Sequence, residues 1–167
     1  MNIVNDPQKS IEVMHNVGTW MQKNGLNPSK WWQPENMNQE FLFKHAEPEE
    51  FYCLLENQNP AGSVILQESE RNQSWQPIDG EDTKKALYVH WLCVHRDFAG
   101  HGIPQQLIDF AKTQAQERGF PRLRLDTDAN EEKLCGLYEG MGFKLAGTEN
   151  EGDHTTAFYE MNLNKIS

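Results

Sequence analysis

The segment from Leu87 to Pro104, LYVHWLCVHRDFAGHGIP, limits what this chain can fold into more than any other stretch. A run of apolar and aromatic residues stops at Arg96-Asp97, a glycine-bearing turn follows at Ala99-Gly100-His101-Gly102, and an amphipathic pattern then begins. Ile103, Leu107, Phe110, Ala111 and Ala115 recur at helical spacing and predict one buried face. Strand, glycine turn and helix start, in that order, build a cradle for an anion. Glycine lets the backbone come close, and the first N–H groups of a helix have no partner inside it. A lone Gly-x-Gly is equally an ordinary tight turn, so context must decide. No Gly-Lys-Ser/Thr follows, which excludes a P-loop. The third glycine of a dinucleotide-binding fingerprint is also missing, and about 85 residues precede the strand on which that fold would open.

At 167 residues the chain is expected to form a single domain, residues 1–167, with one sizeable core. A mean hydropathy of −0.77 with 10% aromatics suits a soluble globular protein. No stretch approaches the roughly 20 apolar residues of a membrane span, so no membrane partner is expected. The start, MNIVNDPQKS, lacks the basic residues and apolar run of a signal peptide. Cys53, Cys93 and Cys135 are odd in number and far apart, which predicts a reduced, cytoplasmic protein. A net charge of −10 argues against a nucleic-acid partner and is compatible with a cationic substrate.

Asp6-Pro7 reads as the cap and first residue of a helix carrying Ile11, Met14, Val17 and Met21, with Gly25 as its stop. Pro34 to His45 predicts a second helix. Phe51–Leu55 and Val64–Leu66 predict a hairpin around the cluster Asn57 to Gly62. Ser69 to Lys85 is polar and longer than most hairpin loops, the kind that carries function or moves. A central strand is expected over Ala86–Val94, then a helix to about Arg118. In the next strand Leu123 and Leu125 alternate with Arg122 and Arg124, which predicts one buried face. A loop over Asp126–Asn130, a helix from about Glu131 to Met141, and strands near Phe143–Thr148 and Thr155–Leu163 complete a mixed α/β order. Its βαβ unit must be parallel and right-handed.

From about Ala86 to Leu145 the residues resemble the GNAT N-acetyltransferase superfamily. The family's Gln/Arg-x-x-Gly-x-Gly/Ala motif, after a strand ending in Leu-x-Val, is matched by Leu92-Cys93-Val94 and then Ala99-Gly100-His101-Gly102-Ile103-Pro104. A later signature, Tyr before Gly-Phe, is matched by Tyr138-Glu139-Gly140-Met141-Gly142-Phe143. The resemblance implies a GNAT fold: a mixed central sheet of six to seven strands, about four flanking helices, and a splayed central strand pair. It implies acetyl-CoA, or another acyl-CoA, as acyl donor. The diphosphate would lie on the amides around Gly100 and Gly102, and the pantetheine along Leu92–Val94, in a gap opened toward the Leu123–Asp126 strand. The departures are specific. Ala99 stands where Arg or Gln is usual, leaving Arg96 and His101 to supply positive charge. Pro104 stands where Gly or Ala is usual and donates no N–H, although it suits a helix's first turn. Where many members carry Asn, this chain has Glu131, with Asn130 one step earlier, either as the displaced contact or as a helix cap.

Acetyl transfer to an amine requires a neutral nitrogen, a polarised carbonyl, aligned reactants and a proton for the departing thiolate. A strand amide near Leu92–Val94 could polarise the thioester. By resemblance Tyr138 is the general acid, its alternative being an ordinary helix tyrosine packed with Leu134 and Met141. His90 is the candidate base or relay, on the face shared with Leu92 and Val94 unless a bulge intervenes. The strand resembles that of arylalkylamine acetyltransferases, where histidines occupy this region. The alternative is a hydrogen-bonded core histidine. Glu68 and Glu70 are rival bases or anchors for a cationic acceptor, or else solvated carboxylates. Cys93 reads as a small buried residue. His90, His95 and His101 match no usual zinc motif, so no metal is expected. Trp31, Trp32 and Trp75 either wall an acceptor site or pack the connections. The reading is an acetyl-CoA-dependent N-acetyltransferase acting on a small-molecule or peptide amine by direct attack. A catalytically weak acyl-CoA-binding sensor domain is the alternative, and a binder of other nucleotides a third. Oligomeric state is open, a homodimer included.

Overall fold

Asp6 and Pro7 open the first helix as their chemistry dictates. In the computed structural model, which describes residues 2–26, 30–70 and 74–164, the Asp6 carboxylate accepts the Lys9 N–H at 3.1 Å and caps α1 (Pro7–Lys23). Ahead of it stands a strand the sequence did not announce, β1 (Asn2–Asn5), which pairs antiparallel with β2 (Phe51–Glu56). Two apolar residues in four are too few for a period to show. The helix expected over 34–45 is broken. A 3₁₀ turn at Pro34–Asn36 gives way to α2 (Gln39–Leu42), because the Asn38 side chain accepts the Phe41 N–H at 2.9 Å and starts a fresh helix. The turn into β3 (Asn59–Gln67) is tighter than the six-residue cluster suggested. Asn57 and Gln58 are both left-handed (φ 51° and 70°), as a two-residue hairpin turn demands.

The polar stretch after β3 contains a short helix, α3 (Gln76–Asp79); residues 71–73 lie outside the described residues. The central strand β4 (Leu87–Val94) leads through the glycine turn to α4 (Ile103–Glu117). Then come β5 (Arg122–Asp128), α5 (Glu132–Gly140), β6 (Lys144–Asn150) and β7 (Thr155–Asn162). The seven strands among the described residues run β1-β2-β3-β4-β5-β7-β6, mostly antiparallel, with β4 and β5 parallel. This is the expected mixed α/β fold, with five α-helices among the described residues, two of them a single turn.

By its contacts the chain divides into two compact units. The first, Met1–Leu66 with Trp91–Leu107, has a core of Val13, Met14, Leu42, Phe51, Ile65 and Cys93. The second, Gln67–His90 with Ile108–Ser167, packs Trp75, Tyr88 and Phe158 together. In this second unit the one-faced strand expected at 122–125 proves wrong. Arg124 is fully buried beside Leu123 and Leu125, and β5 runs on through Asp126, where a loop was expected.

The burial is possible because every face of the guanidinium is occupied. Arg124 donates from both terminal nitrogens to the Asp79 carboxylate at 2.7 Å and from Nε to Glu160 at 2.8 Å. Its Nη1 lies 3.4 Å from the Tyr88 hydroxyl, and the Trp75 ring lies 4.3 Å from its central carbon. Burial alone would raise the Asp79 carboxyl, but hydrogen bonds from Arg124 and from the Lys84 N–H outweigh it and hold it below the usual carboxylate range. Asp79 ends α3, so this pair ties the long polar connection to β5. Truncating Arg124 leaves a buried carboxylate without a counter-ion, a loss of about 3–5 kcal/mol. We expect Arg124→Met to lower the urea midpoint accordingly. A depressed Asp79 contributes stability that is full above the unfolded carboxylate value, about 3.9, and fades as pH falls through the folded one. The acid-side loss of stability should therefore shrink in Arg124→Met, as equilibrium unfolding at stepped pH will read.

Candidate active site

After β4 the chain makes a 3₁₀ turn at Arg96–Phe98 and then two left-handed glycines, Gly100 (φ 85°) and Gly102 (φ 72°). Side chains rarely adopt that region, and no atom stands within 4 Å of where a Cβ would project at either position, so the turn's outer surface is open. Ile103 starts α4 immediately, and Pro104 sits in its first turn. The helix start is fixed from below: Ile103 and Leu107 press on Gly62 of β3, where an added Cβ would collide with Ile103 Cγ2. Both cations foreseen near the turn have partners. The His101 ring lies 3.0 and 3.2 Å from the Glu56 carboxylate. Arg96 lies over the Trp20 ring at 4.0 Å, and its N–H donates to Asn16 Oδ1 at 2.9 Å.

A second cluster sits in the other unit. The parallel register pairs Leu87 with Leu123 and Tyr88 with Arg124, and two residues beyond the last pair His90 and Asp126 bring their side chains together. His90 Nε2 lies 3.2 Å from Glu70 Oε2, and one ligand atom from each of Glu70, His90 and Asp126 lies within 4.8 Å of the others. The Tyr88 ring stacks parallel to the imidazole, centroids 6.4 Å apart. Burial holds the Asp126 carboxyl above its ordinary range; Glu70 and Glu151 push the same way and His90 pulls against them. Two carboxylates and an imidazole so close can exchange a proton, and they are also donors that a divalent metal ion accepts. Glu70 opens onto a cavity of about 500 Å³ that Glu68, Trp75, Glu81, Lys84 and Tyr88 help to line.

The next residue of β4 breaks the pleat. Trp91 is left-handed (φ 49°), strained for an aromatic residue, and is held by its indole N–H donating to the Trp31 carbonyl at 3.1 Å. The bulge intervenes, so the regular alternation that would put His90 on one face with Leu92 and Val94 does not hold. The other foreseen residues divide plainly. Glu68 is a solvated carboxylate, 60% exposed and 3.7 Å from Arg118, whereas the Glu70 side chain is only 9% exposed. Burial pushes the Cys93 thiol far up, and Cys53 up to about 12, so neither is a nucleophile. Trp75 is buried and also lines the cavity beside Glu70, whereas Trp31 packs with Phe41, His45 and Trp91 and Trp32 packs on the first unit's core, which favours packing for that adjacent pair. Tyr138 is buried, with its ring against those of Phe143 and Tyr159. Asn130 is exposed and does not cap α5. Glu131 holds that place without a side-chain bond, and the Asn130 N–H donates to Asp128 Oδ1 at 2.9 Å. Sequence reading passed over Asp126, taken for a loop residue, and Arg124. The hint was LRLDTD, whose strand-like period continues past Leu125.

Residues 18–143 match the family model described as Acetyltransferase (GNAT) family. The chain belongs to that family. It is 33% identical over 76 residues to an uncharacterized N-acetyltransferase, YesJ, of Bacillus subtilis (strain 168), a match covering 46% of this chain and 41% of that protein. Matches to the curated relatives thus span about two fifths of their length or less. The fold resembles that of a GNAT-family acetyltransferase from Listeria monocytogenes 4b F2365, at TM-score 0.73 and 22% identity over 97% of this chain and 94% of that one. It also resembles the PaiA N-acetyltransferase of Thermoplasma acidophilum, crystallised with coenzyme A, at TM-score 0.67 and 16% identity over 97% and 99%.

Because α4 begins on Gly62, overfilling that contact must lift its first turn. We expect Gly62→Ala to destabilise the fold by about 1–3 kcal/mol. Thermal melting reads the effect, and an unchanged midpoint would detach the helix start from this contact.

Proposed function

We propose that the chain is an acetyl-CoA-dependent N-acetyltransferase, one catalytic domain that moves an acetyl group to a primary amine by direct attack. The observation that carries this reading is the pair of left-handed glycines, Gly100 and Gly102, running straight into the first turn of α4. Their open outer surface and the positive end of the helix dipole suit the diphosphate of coenzyme A. Ala99 brings no side-chain donor and Pro104 no N–H, so His101, Ile103 and the glycine backbone carry more of the contact. Leu92, Cys93 and Val94 offer strand amides and carbonyls to the pantetheine. The residues fit the donor, which enters the reaction as a substrate.

The amine must arrive neutral at the thioester carbonyl, and a buried thiol such as Cys93 offers no acyl-enzyme route. Attack therefore comes from the acceptor itself. Tyr138 is the residue we assign to protonate the departing thiolate, since a phenol still carries its proton at neutral pH. No metal takes part in this scheme. The acceptor is a small-molecule or peptide amine, and the three free cysteines support a cytoplasmic setting. Among the described residues no helix is long and apolar enough to cross a membrane.

Thiol release from acetyl-CoA across a panel of amines tests the reading. We expect turnover with at least one alkylamine, unaffected by a chelator. In Tyr138→Phe we expect kcat to fall by roughly 10²–10⁴ while coenzyme A affinity stays the same. Tight cofactor binding with no turnover on any amine would instead favour a sensor domain.

A further inference from the structure

We infer that Glu70, rather than His90, takes the proton from the acceptor, and that His90 and Asp126 stand behind it as a relay leading away from the acceptor cavity. This deepens the acetyltransferase reading and rests on it. Of the three groups Glu70 is the one that lines the cavity of about 500 Å³, a size suited to one small amine. Its side chain is nearly buried, and the oxygen nearest the imidazole stands 3.2 Å from His90 Nε2. Asp126, on the neighbouring strand, completes the cluster, with one oxygen within 4.8 Å of the ligand atoms of the other two. Of the three groups in the relay, an acceptor in the cavity meets only the Glu70 carboxylate. The reverse order, with His90 meeting the amine, would leave Glu70 facing the cavity without a task.

An alkylammonium is drawn to this site by charge and then gives its proton to the Glu70 carboxylate. The freed nitrogen lone pair attacks the thioester carbon, the C–S bond breaks, and the electron pair leaves on sulfur. The substrate nitrogen gives up two protons in all. One is released by way of Glu70 and His90, and the other is matched by the proton that the thiol acquires. The groups facing the relay are Glu70, His90, Asp126, Glu151 and the Tyr88 ring. Because they interact, the site titrates as a unit.

The experiment compares ethylamine with trifluoroethylamine in full-length wild type, Glu70→Gln, His90→Gln and Asp126→Asn, at saturating acetyl-CoA across pH. Ethylamine is charged at neutral pH and needs a base; its fluorinated analogue is mostly neutral and does not. We expect Glu70→Gln to lower kcat/KM for ethylamine by roughly 10²–10⁴ at neutral pH, yet to leave trifluoroethylamine almost untouched. Asp126→Asn should slow ethylamine turnover less than Glu70→Gln does and shift the acid limb of its profile. A variant that merely distorts the fold would slow both amines alike, and Glu70→Asp, which keeps the carboxylate, should recover part of the ethylamine rate. Equal losses for the two amines, or a pH profile in Glu70→Gln like that of wild type, would overturn the assignment. Failure of every amine in the wild-type enzyme would overturn the acetyltransferase reading instead.

Discussion

A single buried cation organises the unit that holds the proton cluster. Arg124 has no contact with solvent, and a charge in that position survives only with its counter-charges and hydrogen bonds in place. Asp79 answers with two hydrogen bonds, Glu160 with a third, and the Trp75 ring covers the guanidinium. The consequence reaches beyond stability. Asp79 and Trp75 both belong to the connection between β3 and β4, and the cavity wall is built from that connection. One ion pair thus fixes a stretch whose polarity alone would have let it wander. Gly147 of β6 supports the same wall, since a Cβ there would stand 2.6 Å from the Ile78 methyl of α3.

The chemistry depends on register as much as on residue type. His90 and Asp126 are thirty-six positions apart in sequence, and they meet because Tyr88 pairs with Arg124 two residues earlier. The strained Trp91 follows at once and ends the regular pleat. Such strain persists where surrounding contacts over-determine it, and here the Trp31 carbonyl and the Trp31 and His45 rings do so. The adjacent tryptophans that looked like an acceptor wall thus have a structural task.

Much of the fold was legible because its signals are local. Asp6-Pro7 announces α1, the glycines at 100 and 102 announce the turn, and the period of Ile103, Leu107 and Ala111 announces α4. What escaped has long-range causes. β1 is too short to show a period and exists because β2 offers it an edge. Arg124 read as solvent-facing because alternation cannot reveal that Asp79, forty-five residues away, neutralises it. Asp126 looked like a loop residue for the same reason, and Glu70 could be read only as a rival base, an anchor or a solvated carboxylate. His90 was visible by its type, but its order in the relay depended on which carboxylate lines the cavity.

The most direct measurement is calorimetric titration of the purified protein with acetyl-CoA and with free coenzyme A, repeated in the presence of ATP or NAD. The account predicts saturable one-to-one binding of both forms, undisturbed by either competitor, because left-handed glycines and a helix start shaped for a diphosphate still need a pantetheine arm along β4 to hold it. No heat of binding, or displacement by ATP or NAD, would contradict it.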